Sequence, residues 1–365
     1  MRDSFGKTFR RITGPGLGLA FTIILLAGCS GGSDGPEKTA RAAIVPGADI
    51  FGRIDYGSYR ASAAAETIRN RRFEQNPALV EAEEERTRKL EEATGVKADD
   101  LRAILFSGDL DGIDLGSSDP EGEYLKLNAV LAATFDSALT EEQFESGVKV
   151  IARESPGSSV EPAEVGGRRA LAVLADGKGE PAFYGSLALD GRTIFLTPNR
   201  SSMEGAFLRE KEGRAEVLSE SLTAVNRVLP EGSQFTTSFV IPEQLRRQIE
   251  TRVSDFEGQA MKNPGAGMLL GFITPFRKLS SLSFGATFAE GAHLGAAADL
   301  AGESEAMQAA AILQTMVVPF LKTRLAQAGD RSMKDLDGKL GVASSGPTLQ
   351  FEVKLGAEDL QNLRF

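Results

Sequence analysis

One cysteine, Cys29, and one histidine, His293, are all that the sequence holds of either residue. A lone cysteine cannot close an intramolecular disulfide, so the fold must rest on a buried core. Metal sites built on histidine draw on several ligands, and one histidine falls short of that. As a general base it needs a nucleophile beside it, and no second thiol is present. His293 lies in EGAHLGAAAD, on a predicted strand next to a hairpin. It reads as a strand residue facing solvent or a neighbouring carbonyl. Long apolar runs are missing too. A bilayer span takes about 20 apolar residues, whereas residues 17–26 supply ten and residues 265–276 (GAGMLLGFITPF) twelve uncharged positions. Positive charge is also in deficit, with 41 Lys+Arg against 51 Asp+Glu. Such a chain has no electrostatic reason to hold nucleic acid or an anionic bilayer surface.

The first 30 residues show where the single cysteine belongs. Arg2, Lys7, Arg10 and Arg11 make a basic start, and residues 17–26 (LGLAFTIILL) form a short uncharged run. This order fits a secretory signal, with Ala27-Gly28 as a small-residue cleavage site. Leu26-Ala27-Gly28-Cys29 resembles the lipobox of bacterial lipoproteins. The resemblance implies diacylglycerol on the Cys29 thiol, cleavage before Cys29, and an N-acyl chain such as palmitate on the new amino group. Two or three acyl chains anchor firmly where one binds marginally. Ser30 in place of Asp after the cysteine implies, in that family, passage to the outer membrane, facing the periplasm. Arg10-Arg11 is a weak match to twin-arginine export because Thr13 stands where a large apolar residue is expected. Loss of residues 1–28 removes four basic residues and Asp3, taking the net charge from −10 to −13. Residues 30–43 are rich in Gly, Ser, Lys and Glu and read as a flexible tether.

Beyond the tether, the pattern alternates strands and helices. Residues 48–59 read as a strand, 61–75 as a helix, and Asn76-Pro77 opens a charged helix to Thr94 with Gly95 past its end. Strands are expected at 101–106 and 125–135. Thr140-x-x-Gln143 is a capping box and Leu139 with Phe144 a hydrophobic staple, opening a helix whose buried stripe is Phe144, Val148 and Ile151. Strands follow at 169–174, 181–189 and 193–197, the last two joined through Asp190-Gly191. Helices are expected from Ser202 and over 215–229. The second half runs strand 234–241, a helix from Pro242 to Glu257, Asn263-Pro264, strands 282–288 and 293–300, and a long helix 303–328 with Pro319 ending or kinking it. Strands 339–343 and 348–355 and a helix 357–363 complete it.

The order of elements repeats without residue identity between the halves. It predicts an α+β fold of two similar lobes, each an antiparallel sheet with helices on one face. The expected division is signal peptide 1–28, acylated Cys29 and tether 29–43, first lobe 44–230 and second lobe 231–365. The mature chain is also similar to uncharacterised bacterial envelope lipoproteins. The likeness rests on Pro46-x-Ala48-Asp49 with Asp55, and on Thr94-Gly95-Val96 with Asp100-Leu101. This resemblance implies two lobes and no activity.

Candidate chemistry is sparse. Asp109, Asp111, Asp114, Asp119, Glu121 and Glu123 crowd one connection and invite Ca²⁺. Counted from Asp109, however, the EF-hand pattern fails, leaving Asp109, Asp111 and Asp114 as weak metal candidates. The run reads first as a polar connection, and otherwise as a docking surface for a cationic partner. Ser146-Gly147-Val148-Lys149 matches Ser-x-x-Lys but sits mid-helix without companion motifs. Asn199-Arg200-Ser201 fits the glycosylation pattern, which a bacterial chain discounts. Residues 264–276, with Met268, Leu269 and Phe272, read as a buried helix or as an apolar gate over a ligand.

No catalytic residues, cofactor or metal are assigned. The first reading is a non-enzymatic, membrane-anchored envelope lipoprotein that binds another envelope component or serves a structural role. The alternative is a carrier or sensor of a hydrophobic ligand held between sheet and helices. A third is a carboxylate-based hydrolase, which needs two carboxylates facing across a cleft.

Overall fold

The computed structural model describes residues 39–114, 117, 119–153, 157–175, 179, 181–213, 218–226, 229–260, 274–319 and 338–362. The expected signal sequence and lipobox with Cys29, most of the expected tether, and Met268, Leu269 and Phe272 lie outside the described residues. The chain's contacts gather into two units. One holds Met1–Ala61 and Ala78–Leu218, the other Ser62–Pro77 and Ser219–Phe365. Among the described residues no helix is long and apolar enough to cross a membrane.

The first unit opens with β1 (Ile50–Asp55) and a short helix α1 (Tyr56–Arg60). Asp55 ends the strand because its carboxylate accepts from Ser58 N, at 3.0 Å, and caps the following turn. The expected strand over 48–59 is therefore shorter by that helix. Helix α2 (Ala63–Gln75) belongs with the second unit, whereas α3 (Pro77–Thr94) returns to the first. Then come β2 (Leu101–Asp109), α4 (Pro120–Lys126), β3 (Asn128–Phe135), α5 (Glu141–Arg153), β4 (Ser159–Val165), β5 (Arg168–Leu174), β6 (Pro181–Leu187), β7 (Thr193–Thr197) and α6 (Arg200–Glu212). The strands lie in the order β1-β2-β3-β7-β6-β5-β4, with neighbours antiparallel. Helix α4 takes the start of the strand expected over 125–135, because Asp119 caps it at Gly122 N and Pro120 sits at its first position.

Both faces of this sheet are covered, which corrects the expectation of helices on one face. On one side Phe144 and Val148 of α5 pack with Leu171, Val173, Phe183 and Leu187, and with Ile194 and Leu196. The capping box forms as expected, with Gln143 N on Thr140 Oγ1 at 3.2 Å and Thr140 N on Gln143 Oε1 at 2.8 Å. The opposite side carries Ser107, Val130, Ala132, Ser186 and Phe195, all buried. These are mostly small or hydroxyl-bearing residues, so α6 and the 41–45 segment approach closely. Ser107 Oγ accepts from Val45 N and donates to Ala43 O, each at 2.7 Å, and Arg209 Nε donates to Ala42 O at 2.8 Å. Strand β4 was not expected. It is an edge strand containing Pro162, mostly solvent-facing, and its turn to β5 uses Gly166 and Gly167 at φ of 56° and 74°.

In the second unit α7 (Glu220–Asn226) precedes β8 (Phe235–Val240), α8 (Glu243–Ala260), β9 (Ser281–Phe288), β10 (Ala292–Asp299), α9 (Glu303–Ile312), β11 (Leu340–Ser345), β12 (Thr348–Leu355) and α10 (Ala357–Gln361). The strands run β8-β9-β10-β12-β11, again antiparallel. Gly285 and Gly295 face each other across β9 and β10, and a Cβ at Gly295 would lie 2.6 Å from Pro230 Cδ. The glycine pair thus seats the 229–233 turn on the sheet. Ala306, Ala309 and Ala310 of α9 pack on Ala298, Leu300 and Leu349, with Phe276 against them. Phe276 ends the 264–276 segment, so its described end is part of this core. Beyond Ile312 the helix widens into a π-helical turn, Leu313–Val317, two residues before Pro319. A proline ring clashes with the carbonyl four residues back, here Thr315, and widening relieves it. Helix α2 docks through Ala64, with Ala292 and Leu360, and its Ala64 N donates to Ala289 O at 2.8 Å.

The β9–β10 hairpin passes close to the end of β12. A Cβ at Gly291 would lie 2.2 Å from Leu355 O, a backbone atom that cannot rotate away. Gly291→Ala is expected to cost about 1–3 kcal/mol of stability, read by urea denaturation; an unchanged midpoint would contradict this packing.

Candidate functional site

Two helices and the sheet of the first unit border a partly open apolar cavity of about 140 Å³. Its floor is Leu101, Ala133, Phe135, Ile194 and Leu196, from β2, β3 and β7. One wall is Thr87, Leu90, Glu91 and Thr94, which at i, i+3, i+4 and i+7 share a face of α3. The other is Gln143, Phe144, Gly147, Val148 and Ile151 of α5, joined by Leu139 and the Val96–Lys97–Ala98 turn.

Local sequence explains each wall. Helix α3 is charged on its outer side, where Arg88 pairs with Glu85 and Glu92, and Val80 is its only fully buried residue. It is fixed at its C-terminal end instead. Gly95, at φ 67°, lets the chain turn, and its N–H reaches Glu91 O at 2.7 Å. Glu91 Oε1 accepts from Ala98 N at 2.8 Å, and Thr94 Oγ1 donates to Leu90 O at 2.7 Å. Gly147 lets the helices meet, since a Cβ there would lie 2.9 Å from the Thr94 methyl. Ala133 on the floor and Gly147 on α5 are small residues of the lining, and the space beside them is left open.

An apolar cavity of about this size, roughly 150 Å³, stays dry and admits a benzene-sized ligand. Drug-sized ligands need about 300 Å³ or more. The site therefore accommodates one ring or the end of an alkyl chain.

The residues singled out in the sequence lie elsewhere. Asp109 and Asp111 neighbour Asp49, but Asp114 is drawn to Glu123, whose Oε2 accepts its N–H at 2.9 Å. Asp119 caps α4 and Glu123 pairs with Lys126, so most of this run is tied to its own turns. Among the described residues no three His, Cys, Asp or Glu side chains meet as a metal site. His293 Nε2 lies 3.4 Å from Glu352 Oε2 without hydrogen-bond alignment, and Glu352 is taken by Lys354 at 2.9 Å. Lys149 pairs with Glu145 on the outside of α5, away from any nucleophilic role for Ser146. Asn199 is the N-cap of α6, and its amide nitrogen donates to Leu125 O and Leu127 O, both at 2.9 Å.

The cavity itself was missed. The signal for it was present in the Thr87, Leu90, Thr94 stripe of an otherwise charged helix. Gly147 within the apolar face of α5 was a second trace.

Among the described residues, Asp49 is the carboxyl group most displaced from its ordinary state. Burial, with the charges of Asp109 and Asp111, raises its pKa from 3.8 to about 6, against the opposing hydrogen bond from Leu110 N. A carboxyl raised in the folded state binds its proton more tightly there, so it favours folding at low pH. That contribution is lost as pH rises from about 4 through 6. Asp49→Asn is accordingly expected to gain stability relative to the unmodified chain between pH 4 and pH 7, in paired urea titrations. A pH-independent difference would contradict the shift.

No family model matches the chain, and no curated protein or solved structure matches it.

Proposed function

We propose that the chain is a lipid-anchored protein of the bacterial envelope. It is held through Cys29 at the periplasmic face of the outer membrane, and its folded part binds a hydrophobic ligand without catalysing a reaction. The α3–α5 cavity carries this reading, since about 140 Å³ of apolar space lies between sheet and helices where tight packing would be expected. The basic start, short apolar run and Leu26-Ala27-Gly28-Cys29 support the anchor. The body is read as two similar lobes. Support comes from strand order, since β1-β2-β3-β7 and β8-β9-β10-β12 both join the third strand to the last strand of the following meander.

Two outcomes test the two parts. Cys29→Ser is expected to abolish incorporation of labelled palmitate into the protein, and a Cys29→Ser form labelled like the unmodified one would contradict the acyl anchor. For the cavity, benzene at ten times its Kd should stabilise the chain by about 1.4 kcal/mol. Ala133→Leu fills the floor, so it should raise stability by about 0.5–2 kcal/mol and abolish the benzene effect. A melting temperature unmoved by benzene in the unmodified chain would refute uptake at this site.

A further inference from the structure

The cavity is lined mostly by apolar residues, but its lining is not without charge. Of the eighteen lining residues only Glu91 and Lys97 carry charge. Glu91 is committed, because its Oε1 accepts the Ala98 N–H at 2.8 Å and holds the turn after α3. Lys97 is exposed and has no ion pair among the described residues. A second donor stands beside it. The capping box fixes the Gln143 amide, with Oε1 turned to Thr140 N at 2.8 Å. That leaves Nε2 on the other side, where it lies 3.3 Å from the place a Cβ would occupy on Gly95, two residues before Lys97. Lys97 and Gln143, each carrying an uncommitted donor, therefore both line an apolar hole.

Resting on the reading of the cavity as a ligand site, we infer that the ligand is an anionic amphiphile of the fatty-acid class. Its alkyl end enters between α3 and α5, and its carboxylate accepts from Lys97 Nζ and Gln143 Nε2. Cavity volume sets the length. A benzene-sized space of about 140 Å³ holds roughly the last six carbons. The chain must then run a short way further to bring its head group to the mouth. A medium-chain acid of about eight carbons meets both conditions. The acidic surface of the protein works against an anion at long range, but that field is screened within about 8 Å at physiological salt. A contact pair at the mouth is not abolished by it.

The test uses the full chain carrying Cys29→Ser, so that no acyl anchor or detergent competes. Octanoate and octanol are the probes, titrated by calorimetry at pH 7.5 into this protein and into the same protein with Lys97→Met or Ala133→Leu. Lys97→Met keeps the length and the apolar stem of the side chain and sits on an exposed turn, so the fold is retained. Octanoate is expected to bind more tightly than octanol. Lys97→Met should weaken octanoate about fivefold, the scale of an exposed ion pair, and leave octanol unchanged. Ala133→Leu should remove both. Equal binding of the two probes, both lost with Ala133→Leu and neither sensitive to Lys97→Met, would overturn the anionic class and leave apolar uptake standing. Binding of neither probe, or binding indifferent to Ala133→Leu, would overturn the ligand site itself.

Discussion

The approach of the α3 C-terminus to α5 governs the first unit. It is close enough at Gly147 that a Cβ would stand 2.9 Å from the Thr94 methyl. Two helices pinned together at one point and resting on a sheet cannot both lie flat on it. Between the pin and the sheet, volume must be filled by side chains or left open. Here the residues that would fill it are Ala133 below and Gly147 beside, and neither does. The turn at Gly95, the bond from Glu91 to Ala98 N and the fixed amide of Gln143 all follow from holding that pin. The cavity is thus a product of helix geometry and two small side chains, and it persists because the outer face of α3 is satisfied by its own charges.

The strands of the two units manage small residues in different ways. In the first, Ser107, Ala132 and Ser186 thin one face so that α6 and the 41–45 segment can sit close. In the second, Gly285 and Gly295 do the same for the turn at Pro230. Gly52 does so within a strand pair, where the ring of Phe106 occupies the space a Cβ would take, at 2.0 Å. Close backbone or ring approach over a glycine recurs as the way this chain packs without tryptophan or disulfides.

Much of this fold was legible in the sequence. Alternation marked most of the strands, and the Asn76-Pro77 and Thr140-x-x-Gln143 signals placed the starts of α3 and α5 where they occur. Local capping chemistry defeated alternation at Asp55 and Asp119, where a carboxylate at the end of a polar stretch starts a helix instead. Strand β4 escaped because an edge strand facing solvent carries little apolar pattern and Pro162 interrupts it. The assignment of α2 to the second unit rests on contacts between Ala64 and residues near 290 and 360, which no periodicity encodes. The cavity was hidden for a related reason. A pattern of apolar residues says which face is buried, but not whether the partners opposite are large enough to fill the gap.

Native mass spectrometry of the protein purified from bacterial membranes tests the central claim most directly, run beside the Ala133→Leu form. A non-covalent mass of fatty-acid size, present on the unmodified protein and missing from Ala133→Leu, is the expected result. Two proteins with no non-covalent mass on either would contradict a ligand-binding role for the space between α3 and α5.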